Sequence, residues 1–79
     1  MRLSSQIKAA RALLGWSQSE LAHRAGVGLA TLQRIEQKEG VVKGHFSTVL
    51  KIQKALEGAG IRFTEDDRGE IGVTLKARG

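Results

Sequence analysis

The stretch from Gln18 to Gln37 constrains this chain more than any other part of it. It divides into two short amphipathic helical patterns that meet at Gly26. Leu21, Ala22 and Ala25 fall on one face of the first pattern, and Leu32 and Ile35 on one face of the second. A corner of three or four residues between helices needs a residue that takes a positive φ at little cost, and glycine does so. The small side chain of Ala22 lets the two helices cross closely at a steep angle.

From Trp16-Ser17-Gln18-Ser19-Glu20-Leu21-Ala22 through Arg34-Ile35-Glu36, the chain resembles the phage-repressor and Cro-like (XRE) helix-turn-helix family. The resemblance covers about Ile7 to Ala59. A lone Ala-x-x-x-Gly would carry little, but Gln18, Leu21, Ala22, Gly26, Val27, Leu32, Ile35 and Glu36 all stand in register. The resemblance implies a mainly α fold, a four-helix lambda-repressor-like domain over residues 1–59 with its motif at 18–37. It also implies that the second helix of the motif enters the DNA major groove. The residues leave one alternative open, that Gly26 ends an ordinary helical hairpin in a domain that never meets DNA.

The 79 residues, 41% of them hydrophobic, make one small domain. A chain of this size buries only about 60–65% of its unfolded surface, so dimerisation would add to its stability. There is no Cys, and with only two His there is little for a metal site. Neither a Gly-rich phosphate loop nor a nucleophile–base pair is visible, so no enzyme and no cofactor are expected. Asp66, Asp67 and Glu70 cluster without the spacing of a calcium loop and read as a solvated turn. No apolar run approaches the roughly 20 residues that span a bilayer. With no signal-peptide pattern at the start, the expected location is the cytoplasm.

Charge is unevenly placed. Residues 1–58 hold nine Lys/Arg and four acids, a net of +5, whereas residues 59–79 hold four of each. The whole positive excess belongs to the helical part, as a phosphate-facing surface requires.

A first helix is expected to start after Ser4 or Ser5, either of which can cap it, and to end at Gly15 with Ile7, Ala10 and Leu14 inward. Trp16 then falls in a corner as a core residue. Ser17 and Glu20 form a Ser-x-x-Glu capping box that would satisfy two orphan amides of the second helix. The third helix spans about Gly28 to Lys38. At 100° per residue with Leu32 inward, Ile35, Glu36 and Gly28 fall on the buried side. Ala30, Arg34 and Gln37 then face outward, with Thr31 and Gln33 flanking them. Arg34 carries the sharpest chemistry, because a guanidinium can make two hydrogen bonds to guanine O6 and N7. Leu29 and Ala30 stand where the family often has long polar residues, and can only pack on a thymine methyl. Specificity would then lean on Arg34, Gln33, Thr31 and DNA shape.

The resemblance implies further roles. Gln18 would touch the DNA backbone and brace the recognition helix, and the loop carrying Lys43 and His45 would make further backbone contacts. Arg11 and Glu36 would form a buried structural ion pair. A fourth helix is expected from Phe46 or Ser47 to Gly58, with Phe46, Val49, Leu50, Ile52, Ala55 and Leu56 inward.

From Gly60 the period changes to two. Ile61 and Phe63, then Ile71, Val73 and Leu75, mark a β-hairpin with one apolar face over residues 60–79. Two strands alone are marginal in water. The fourth helix can supply a covering face and a second chain an edge, so these five residues are expected to form a dimerisation element.

The leading expectation is a dimeric repressor that reads a palindromic operator in double-stranded DNA. The alternative is an antitoxin that binds DNA and also holds a toxin or other partner protein. A third reading is a helical interaction module that does not bind DNA.

Overall fold

The computed structural model describes residues 1–77. Four helices precede one hairpin: α1 (Ser4–Leu14), α2 (Gln18–Ala25), α3 (Leu29–Gln37), α4 (Phe46–Gly58), β1 (Ile61–Glu65) and β2 (Ile71–Leu75). The core draws on every helix and on β1: Ile7 and Ala10, Leu21 and Ala22, Leu32 and Ile35, Ile52 and Leu56, and Ile61. These are the inward positions set by the 3.6-residue period.

The start of α1 departs from expectation. Neither Ser4 nor Ser5 caps it; both lie inside the helix, and Leu3 is the cap residue. Ser4 instead gives its backbone N–H to the Gly40 carbonyl at 2.9 Å, next to a β-bridge between Leu3 and Val41. Tying the N-terminal segment to that loop draws the chain into the helix one turn position early. The Gln6 side chain supplies the cap from below, where its Oε1 accepts from the Leu3 N–H at 2.9 Å.

At α2, Ser17 accepts the Glu20 N–H at 3.0 Å. The return half of the expected box is replaced, because the Glu20 carboxylate accepts from Arg24 Nε at 2.8 Å. Gly26 takes φ 69°, and Val27 N–H reaches back to the Ala22 carbonyl at 3.0 Å, which turns the chain into α3. Gly28 is the cap residue of α3 and is exposed, against the inward position expected for it. It lies before the first helical turn, where helical angles no longer apply.

In α4, Ile52 and Leu56 are buried, and Val49, Leu50 and Ala55 half-buried. Phe46 is not inward; it is 80% exposed. Helical side chains lean toward the N-terminus, so that of the first residue leans off the end of the helix and past the core.

The hairpin pairs within the chain, with Ile61 opposite Leu75, Phe63 opposite Val73 and Glu65 opposite Ile71. Its apolar face lies against α1 and α4, so the molecule's own helices cover the two strands. Gln6 Nε2 donates to the Gly72 carbonyl at 3.0 Å, and Arg2 pairs with Glu65. Of the acids expected in the turn, Asp66 holds it. Asp66 Oδ1 accepts from the N–H groups of Arg68 and Glu70, both at 2.9 Å, and Gly69 takes φ 75°. Among the described residues, no helix is long and apolar enough to cross a membrane, and no cluster of three potential metal ligands occurs.

Candidate nucleic-acid interface

What presents α3 to solvent is a buried polar knot beneath it. Glu36 is 2% exposed. Its carboxylate accepts from Arg11 Nη2 at 2.7 Å and Nε at 2.9 Å, a bidentate pair joining α3 to α1. Arg11 Nη1 also donates to the Trp16 carbonyl at 3.1 Å, so the corner between α1 and α2 is tied to the same group. Gln18 completes the knot, donating from Nε2 to Glu36 Oε1 at 3.2 Å. Three helices are thus referenced to one carboxylate, which fixes the rotation of α3 about its own axis. An amide carries two N–H donors, so Gln18 retains one that Glu36 does not use.

With Leu32, Ile35 and Glu36 inward, α3 shows solvent a continuous outer stripe. Ala30, Gln33, Arg34 and Gln37 are exposed, Thr31 is half-buried, and Leu29 is 39% exposed. Arg34 sits at the middle of the stripe, where its Nη2 makes one long contact, 3.4 Å, to Thr31 Oγ1. Two flanks run beside it. Gln33 and Gln37 form one, and the other meets the loop that leads into α4.

That second flank is a shallow groove of about 220 Å³. Thr31, Arg34 and Lys38 from the α3 side face Lys43, His45 and Thr48 from the loop and α4. Lys43 and His45, expected in the interface, therefore stand directly beside Arg34. Lys38 and Thr48 were not anticipated. The signal for Lys38 was available, since it stands four residues after Arg34 and so on the same side. Thr48 could be placed only once the loop's path brought α4 alongside. No side chain caps the N-terminus of α4, so its first amides stay available to an anion beside these cations. Phe46 projects from the same end of α4.

The five hairpin residues expected to dimerise lie elsewhere. Ile61 is buried; Phe63, Ile71 and Val73 are half-buried; Leu75 is 37% exposed. Trp16, expected in the core, packs at its margin, with the Arg24 guanidinium 4.5 Å from its ring centre.

A family model described as helix-turn-helix matches residues 7–57. The chain belongs to the XRE helix-turn-helix family. The matched span runs from within α1, at Ile7, through all but the last residue of α4 and ends before the hairpin. This is a family of DNA-binding regulators. No curated protein matches the chain.

Proposed function

We propose that this XRE protein is a sequence-specific regulator that binds double-stranded DNA as a symmetric dimer and represses transcription from cytoplasmic DNA. The observation that carries the reading is the placement of Arg34. It stands exposed at the centre of a helix whose rotation is fixed by the Arg11–Glu36–Gln18 knot, beside a groove ringed by Lys38, Lys43 and His45. Base readout needs a bidentate donor held at a set height in the major groove, and cations beside it to grip the backbone. Gln33 and Thr31 supply further polar contacts, Gln37 lengthens the stripe, and Leu29 and Ala30 meet thymine methyl groups. Gln18 and Lys43 bind phosphate and set the register.

The test is selection of binding sites from a random duplex pool by the purified protein, at an ionic strength of about 150 mM. A palindrome with half-sites about ten base pairs apart supports a dimeric reader. One guanine per half-site should lose its preference in Arg34→Ala. Salt-sensitive retention of every sequence, with no enrichment, would reject specific readout.

A further inference from the structure

We propose that a groove formed by α1, α2, α4 and β2 docks an acidic, amphipathic segment of a partner protein. The groove measures about 940 Å³, and no residue of α3 or of the loop after it lines it. It is therefore separate from the surface around Arg34, and the inference does not rest on DNA binding.

The floor is apolar and open to water. Leu13 is 46% exposed and Leu75 37%, while Leu14 and Trp16 are half-buried beside them. The rim is cationic, with Arg24, Lys54 and Lys76. Among the described residues one acid lines the groove, Glu20, and it is already bound to Arg24 Nε at 2.8 Å. Among the described residues, neither Lys54 nor Lys76 has an ion-pair partner. The Arg24 guanidinium lies over the Trp16 ring, held in place with N–H donors to spare. Tryptophan and arginine of this kind dominate the energetics of protein interfaces.

An apolar floor under a basic rim selects for an occupant with both characters. A polyanion such as DNA would answer the cations but leave Leu13, Trp16 and Leu75 wet. A second copy docked symmetrically would bring Arg24, Lys54 and Lys76 toward their own images, with Glu20 alone in compensation. The chain's own acidic turn, residues 65–70, has no apolar side chain to fill the floor. A helix or extended segment with carboxylates along one side and leucine-like residues along the other answers both features.

Trp16 is the only tryptophan, so its emission reports on this groove. The probe is a designed amphipathic peptide of about 15 residues with Glu on one face and Leu on the other. A control peptide carries Lys in place of every Glu. The acidic peptide should shift Trp16 emission saturably, and the control should not. Lys54→Gln combined with Lys76→Gln should weaken binding about tenfold, with the fold intact by circular dichroism. Arg34→Ala combined with Lys43→Ala should leave peptide binding unchanged. Three results would overturn the assignment: equal binding of both peptides, binding lost in the Arg34/Lys43 variant but kept in the lysine variant, or emission that shifts with protein concentration alone. All three would leave the DNA-binding reading standing, since operator binding is measured separately on the α3 surface.

Discussion

Burying a side chain as polar as that of Glu36 costs free energy that must be offset, and three side-chain donors supply the offset. Arg11→Met removes two of them and strands the charge. The expected loss is about 3–5 kcal/mol of unfolding free energy, measured by urea titration. The double variant Arg11→Met, Glu36→Leu should recover most of that, because an apolar pair of similar volume leaves nothing uncompensated. A single variant as stable as the parent would mean that Glu36 reaches water. Two glycines sharpen the same scale. A Cβ on Gly26 meets nothing within 4 Å, so the cost of Gly26→Ala is the backbone's alone, about 1–2 kcal/mol for φ 69°. Gly44 lacks a positive φ, and an added Cβ would touch Ile35 and Val49 at 3.5 and 3.6 Å, ordinary contacts. Gly44→Ala should therefore match the parent or exceed it by up to about 1 kcal/mol. Glu36 was readable as inward from its angle relative to Leu32. Phe46 was not readable, because helical angles say which side a residue is on but not where along the axis the core ends.

Elements were legible where a period or a turn residue marked them, and less so where a distant contact decided. The breaks at Gly15 and Gly26, and the switch to a period of two at Gly60, correspond to the observed boundaries within a residue. The entry to α1 was not legible, because its cap comes from Gln6 and its backbone partner is Gly40, 36 residues on. The hairpin shows the same limit. Alternation announced an apolar face and offered α4 to cover it, but could not say that α1 would cover it as well. That cover is measurable. Ile61 is 4% exposed and packs among core residues of the helices, so Ile61→Ala should cost about 2–5 kcal/mol. Thr74, on the opposite face and exposed, should tolerate Ala within about 0.5 kcal/mol. The loss at Ile61 should be the same at micromolar and at hundredfold higher protein concentration. A loss that shrinks as concentration rises would mean that the hairpin's apolar face is completed by a second chain.

For the whole molecule, the charge asymmetry acquires a direction once the fold is known. Five of the nine cations in residues 1–58 line two separate surfaces, Arg34, Lys38 and Lys43 the one, Arg24 and Lys54 the other. Only the first adjoins α3, the helix proposed to read DNA, so counterion release should tell them apart. Plotting the logarithm of operator affinity against that of salt concentration gives a slope proportional to the phosphates neutralised. Lys43→Ala should flatten that slope by about one unit, whereas Lys54→Gln should leave it nearly unchanged. The proposed dimer adds a geometric demand. Two copies related by a twofold axis place their α3 helices one helical turn apart on one side of the duplex, about 34 Å. In the hairpin, the backbone groups of Ile61, Phe63 and Glu65, and of Ile71, Val73 and Leu75, point away from the partner strand, since the bonded pairs alternate with them. Two unpaired edges thus remain for a second chain, although the apolar face is taken. Inserting about five base pairs between the half-sites turns the second one to the far side of the helix and should reduce affinity to that of a single half-site. Inserting about ten restores the facing but lengthens the span by a full turn, which a dimer joined through short rigid strands cannot reach. Both insertions should therefore weaken binding equally. Recovery at ten would mean that the two copies are tethered flexibly, and equal affinity at every spacing would mean that the chain binds as a monomer.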